Sequence, residues 1–267
     1  MKKHTLIMAA AALMMAATSC DKIDNPRKPY TPTGGGKTVL IKDFTGVRCV
    51  NCPEAATTVH QLQHELGADR VFIMSVHAGF LAQPIGNFPD FTTEEGTQWY
   101  GENNSNPLFA VNRSGLIEGH TYTIGQIDTP VSDELGQPQV FEVSIENTFD
   151  EASRLLKVDN TLTALGDVDG DFHVTVCLVE DSLVGMQTVP GGIDREYVFR
   201  NVFRATLNGA DGTAFANGHL YVDDTFRKSF SMELDTTFNA DQCYVMTYIS
   251  DKAQGDKILQ TAMEKIK

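Results

Sequence analysis

Between Thr38 and Leu135 the spacing of apolar positions changes several times. "TVLIKDFTG", from Thr38, is β-rich and stops at Gly46. Val47 to Cys52 reads as a loop. Pro53 then stands where proline is tolerated, in the first turn of a helix. Val59, Leu62 and Leu66 fall three and four apart, which predicts one apolar helix face, and Gly67 is a fitting stop. "RVFIMSVHAGF", from Arg70, is continuously apolar, the pattern of a strand covered on both faces. "TTEEGTQWYG" predicts a short helix. "NPLFAVNRSGLIEG", from Asn106, predicts two strands around a tight turn at Asn112 to Gly115. Ile124, Ile127, Val131 and Leu135 space as a closing helix, with Pro130 as its weak point.

Past residue 137 the period becomes two. Phe141, Val143 and Ile145 share one face of "QVFEVSIE", opposite Glu142, Ser144 and Glu146. Phe172, Val174, Val176 and Leu178 alternate with His173, Thr175, Cys177 and Val179, and Phe230, Met232 and Leu234 repeat the pattern. "SDKAQGDK", from Ser250, fits a last hairpin turn. The tail from Ile258 suits a helix by propensity and a strand by topology. The expected fold class is therefore α/β plus all-β, with an α/β domain over 38–137 and a β-sandwich of immunoglobulin-like type over 138–267. The roughly 230 residues after Gly36 suit two domains.

The amino terminus adds a compartment. Lys2 and Lys3 precede an apolar run from Leu6 to Ala17 that is too short to span a bilayer, and small residues lead to Cys20. Residues 1–19 are expected to be a lipoprotein signal peptide and Cys20 the lipidated residue, although Ala17 replaces the usual leucine. An ordinary secreted chain cleaved near Ala17 is the alternative. Residues 20–37 then form a polar, Pro- and Gly-rich tether, with a reach of roughly 50 Å at ~3.3 Å per residue. The formal charge is −14, and it becomes −16 once Lys2 and Lys3 are removed. Such an acidic chain argues against nucleic acid as a partner and against adhesion to anionic lipid by charge. The expected attachment is to a membrane through the lipid at Cys20.

Export implies an oxidising compartment for Cys49, Cys52, Cys177 and Cys243. Cys49 and Cys52 stand between a strand and the first turn of a helix. Free backbone N–H groups, the helix dipole and Arg48 would stabilise a thiolate on Cys49 there. Reversible exchange is the chemistry this arrangement suits, with Cys49 as nucleophile and Cys52 as resolving thiol. A structural clip is the plain alternative. Zinc would need two further ligands, which no second CxxC supplies, so neither a metal nor another cofactor is expected. Cys177 and Cys243 either bridge or stay as buried free thiols. Their strand faces make a bridge awkward.

His77, at the end of the central strand, is a candidate proton partner for Cys49, though such histidines are more often solvated or hydrogen-bonded than catalytic. His60 and His64 lie one helical turn apart, half a metal site at best. Asp167, Asp169 and Asp171 alternate as in calcium loops, but no glutamate completes the set and an acidic turn is the expectation.

Strand, CxxC-Pro, helix, strand and a distant proline opening a hairpin resemble the thioredoxin fold. That likeness implies a cis proline lying against the cysteine pair, a role that falls on Pro107 in "NNSNPLFAVNR". Arg48 stands where a tryptophan is usual, and Val50-Asn51 replaces Gly-Pro, which leaves the direction of electron flow open. The ordered set of signal, tether, "FTGVRCVNCPEAA", "NPLFAVNR" and "EYVFRNVFRATLNG" resembles the twenty-eight-kilodalton outer-membrane protein family, lipoproteins of Gram-negative anaerobes. The resemblance implies an outer-membrane lipoprotein, attached through Cys20 and facing the periplasm or the cell surface. Cysteine-containing protein substrates or other envelope components are its expected partners. A non-enzymatic binding, adhesion or structural role is the alternative function.

Overall fold

The computed structural model describes residues 36–103 and 105–267. The signal peptide, Cys20 and nearly all of the tether lie outside the described residues.

Strand β1 (Val39–Thr45) is apolar at four of its seven positions and buried throughout. Helix α1 (Cys52–Leu66) begins with Cys52, so Pro53 sits in the first turn, where its missing N–H removes no helical bond. Gly67 ends it at φ 106°, its N–H donating to Gln63 O. The chain returns in strand β2 (Val71–His77), parallel to β1 from Val39↔Val71 to Thr45↔His77. Parallel neighbours need such a crossover. Ala55, Val59 and Leu62 of α1 cover Val39, Ile41, Val71 and Ile73.

Helix α2 (Glu94–Tyr100) is capped by Thr93, whose hydroxyl accepts from Gly96 N. Strand β3 (Leu108–Val111) runs antiparallel to β1. The hairpin partner of β3 is displaced from its expected place. Strand β4 (Thr121–Tyr122) pairs with Phe109 and Ala110, and residues 113–119 form no strand. Their backbone is engaged elsewhere: Ser114 N donates to Asp256 O and Leu116 N to Trp99 O. The closing helix is split, with a single turn at Ile124–Gln126 followed by α3 (Asp128–Leu135). Pro130 is third in α3, inside the first turn, and so breaks nothing.

Ten strands follow: β5 (Phe141–Asp150), β6 (Leu155–Ala164), β7 (Val168–Glu180), β8 (Leu183–Val189), β9 (Gly192–Phe199), β10 (Val202–Thr206), β11 (Thr213–Leu220), β12 (Thr225–Glu233), β13 (Cys243–Asp251) and β14 (Lys257–Lys265). The tail is thus a strand, antiparallel to β13. Burying Ile258 through Thr261 within the sheet outweighs its helix propensity.

The chain is β-rich, with three sheets among the described residues. The largest has nine strands in the order β14-β13-β7-β10-β2-β1-β3-β4, with β11 also on β7. It does not stop at residue 137. Strand β10 lies parallel to β2 at Val202↔Ser75, and Ser75 N donates to Asn201 O. Segments 38–137 and 138–267, expected as separate domains, are joined through this sheet. The physical reason is the second edge of β2, whose backbone groups need partners that hydrophobic spacing does not reveal.

Register carries one face across the sheet, because Ser75 pairs with Val202 and Val202 with Glu180. On that face α1 and α3 cover β1 and β2, while the three-stranded sheet β12-β6-β5 covers β7 and β13 through Phe172, Val174, Val176, Val245 and Ile249. Between the two covers, over β2 and β10, a gap remains. The opposite face buries Leu40, Phe44, Met74, Cys177 and Tyr248 against Trp99 and Tyr100.

Candidate functional site

Cys49 and Cys52 are joined by a disulfide at the junction of β1 and α1. The loop before them approaches its neighbour very closely. A Cβ on Gly46 would lie 2.4 Å from Leu81 O. Arg48 N donates to Leu81 O at 2.8 Å, and the Arg48 guanidinium donates to the carbonyls of Gln83 and Pro84. Its charge is therefore pinned toward that loop.

Both cysteines are almost wholly covered, Cys49 at 2% and Cys52 at 3% exposure. Part of the cover comes from the other half of the chain. Strands β8 and β9 form a two-stranded sheet of their own. The buried Gln187 amide donates to Cys49 O at 2.9 Å and Gly46 O at 3.3 Å, and Thr188 N donates to Val47 O at 2.8 Å. Leu183, Tyr197 and Phe199 of the hairpin pack with Val47, Phe88 and Phe91. Sequence reasoning did not find this hairpin.

It also missed Asp43. Alternation along β1 puts Lys42 on the α2 face and Asp43 beneath α1, beside Ser75 of β2. Asp43 is buried, and its Oδ1 has no hydrogen-bond partner. Burial alone pushes its carboxyl up to about 7. Lys42 lies 3.4 Å from the centre of the Trp99 ring and donates to Ser114 O and Tyr248 Oη. Burial brings Lys42 down to about 7. Two adjacent charged residues inside an apolar strand were the available signal.

His77 is buried, with neither ring nitrogen hydrogen-bonded. It meets the edges of Phe91 and Phe199 at 5.1 and 5.6 Å. Burial first, and the Arg204 charge second, bring it down to about 3, so it is neutral at physiological pH. It makes no hydrogen bond to either cysteine.

The gap over β2 and β10 is a cavity of 1240 Å³, whose walls include Asp43, Cys52, His60, His77, Gln187 and Arg200. Cys49 and Pro107 are not among its lining residues. The Asn106–Pro107 bond is cis. The Asn106 amide donates to Thr45 O and Ala78 O, both at 3.0 Å, tying this loop to the ends of β1 and β2.

His60 and His64 also line the cavity, but no group of three His, Cys, Asp or Glu side chains among the described residues has metal-binding geometry. Asp167, Asp169 and Asp171 serve separate contacts, to Val222 N, to His219 and to His173. Cys177 and Cys243 are free and lie in different cores on opposite sheet faces, and burial pushes both thiols up to about 12.

Residues 97–267 match the family model for outer membrane protein Omp28. That span is more than half of the chain. The chain belongs to the Omp28 family. The matched span includes Pro107 and the β8–β9 hairpin but begins after Cys49 and Cys52. Among solved structures, HBP35 of Porphyromonas gingivalis is similar in fold, with a TM-score of 0.68 at 17% identity over 88% of this chain and 77% of that one. A domain of the outer membrane lipoprotein Omp28 from Porphyromonas gingivalis matches 48% of this chain and 88% of its own at 18% identity, with a TM-score of 0.33, too low to inform the fold. No curated protein matches. Among the described residues no helix is long and apolar enough to cross a membrane.

Proposed function

We propose that this chain is an outer-membrane lipoprotein, anchored through acylated Cys20, whose Cys49–Cys52 pair undergoes thiol-disulfide exchange. Family membership supports the outer membrane. The reading takes segment 38–137 as thioredoxin-like and segment 138–267 as an immunoglobulin-like sandwich. The observation that carries exchange is a disulfide at a strand-to-helix junction with an uncharged-capable carboxyl, Asp43, on the same cavity wall as Cys52.

In the reduced pair, Cys49 precedes the helix start and is the thiol best stabilised as a thiolate. It attacks the disulfide of a partner and forms a mixed disulfide. One partner sulfur leaves in that step as a thiolate; Cys52 then attacks Cys49 Sγ, the Cys49–partner bond breaks with its electron pair on the second partner sulfur, and the Cys52 proton passes to Asp43, which near pH 7 exists in both forms. Pro107, on a loop tied to the ends of β1 and β2, shapes the approach to the pair.

The near-complete burial of both cysteines favours a second reading, in which the disulfide is a clip and the chain binds envelope partners without turnover. Glutathione-coupled reduction of hydroxyethyl disulfide separates the two. Exchange predicts a rate above background that Cys49→Ser and Cys52→Ser both abolish. A background rate for the wild-type chain would leave the clip.

A further inference from the structure

The two cysteines are buried to the same degree but from different sides. Over Cys49 lies the β8–β9 hairpin, whose strands pair with each other and with no other strand among the described residues. Three carbonyls of the cysteine loop accept bonds from it: Gly46 and Cys49 from the Gln187 amide, and Val47 from Thr188 N. A macromolecule approaching Cys49 along this loop finds those acceptors taken and the hairpin in its path. Cys52 instead lines the cavity, as do Asp43 and Gln187, while Cys49 does not. At 1240 Å³ the cavity exceeds the few hundred to about 1,000 Å³ that encloses a typical small ligand. A tripeptide thiol fits whole within such a volume.

We propose that the β8–β9 hairpin, latched by Gln187, screens Cys49 from protein partners and leaves Cys52 as the sulfur that low-molecular-weight thiols attack through the cavity. This rests on the exchange reading above and narrows it: Cys49 meets a protein partner only when the hairpin moves aside, while small thiols reach Cys52 with the hairpin in place. The chemistry favours the same sulfur. Attack on Cys52 expels Cys49, the cysteine that precedes the helix start, and the better-stabilised thiolate leaves faster. In the first step a small thiolate forms a bond to Cys52 Sγ, the Cys49–Cys52 bond breaks, and the electron pair goes to Cys49. In the second step another small thiolate attacks the outer sulfur of the mixed disulfide, releasing the small disulfide and leaving the pair on Cys52. Two small thiols are oxidised, one protein disulfide is reduced, and the protons of the two thiols end on Cys49 and Cys52.

The test uses the oxidised full chain with two reductants, glutathione and reduced thioredoxin. Acid quenching, alkylation and fragment-ion sequencing of the peptide that carries both cysteines follow each. Glutathione is expected on the Cys52 sulfur in the trapped intermediate, with Cys49 alkylated. In Gln187→Ala the ratio of the thioredoxin rate to the glutathione rate is expected to rise about tenfold, the worth of one to two ordinary hydrogen bonds. Gln187→Glu, which keeps the volume and loses the donors, is expected to do the same and covers a poorly folding alanine variant. Glutathione on Cys49, or an unchanged rate ratio in both folded variants, would overturn the proposal. Failure of both reductants, with the disulfide intact until the chain is unfolded, would overturn the exchange reading itself and is a distinct outcome.

Discussion

Replacing Asp43 with Asn removes a carboxyl that titrates near 7 in the folded chain and near 3.8 in the unfolded one. Between those values the folded chain holds a proton that the unfolded chain has released. Stability from this group is therefore full below about pH 3.8 and is lost as pH rises through 7, where the buried carboxyl must ionise. The gap between the two values corresponds to about 4 kcal/mol. Asn does not titrate, so its own burial adds an offset independent of pH. The stability of Asp43→Asn minus wild type should then climb by about 4 kcal/mol between pH 4 and pH 8. His77 works in the opposite sense. Its value falls from 6.5 to about 3 on folding, so acid removes stability over that window by protonating the unfolded chain. The two trends oppose each other in the wild type, and the Asn variant exposes the acid loss. Denaturant unfolding at pH 4, 6 and 8, with the disulfide kept oxidised, measures the difference. A difference that stays constant across pH would refute the placement of Asp43 as a buried carboxyl without a charged partner.

Arg204 lies between the Phe91 and Phe238 rings with its Nε 3.4 Å from Glu180 Oε2. Arg204→Ala strands a buried carboxylate and should cost about 3 kcal/mol in chemical denaturation at pH 8, and progressively less as pH falls, because burial raises Glu180 and favours its protonated form. Gly46→Ala drives a Cβ against the Leu81 carbonyl, a backbone atom that cannot swing away, and should cost about 2 kcal/mol in the same assay. Cys20→Ala should move the chain from the membrane pellet to the soluble fraction on cell fractionation, since it removes the proposed site of acylation.

The elements that the sequence made legible are those whose own side chains carry the signal. Val59, Leu62 and Leu66 mark α1, and the apolar run of β2 marks a strand covered on both faces. Alternation identified β5 and β7, and it put Cys177 and Cys243 on different faces. The contacts that shape the site leave no such periodic mark. Gln187 meets Cys49 across 138 positions by a single amide, and β10 reaches β2 through backbone bonds that any residue can make. The partner of β3 was misplaced because residues 113–119 are held by Trp99 and Asp256, again through the backbone. Asp43 was the exception that could have been found. A carboxyl six positions before Cys49, in a strand otherwise built for burial, must be either paired or perturbed.

The central claim is that Cys49 and Cys52 exchange rather than merely clip the loop. Its most direct test is equilibration of the full chain in glutathione buffers of graded ratio, with alkylation and mass measurement of the pair. Exchange predicts that the pair passes reversibly from oxidised to reduced within the range those buffers span, with the same midpoint approached from either side. A pair that stays oxidised even in reduced glutathione alone, as stable structural disulfides do, would contradict it.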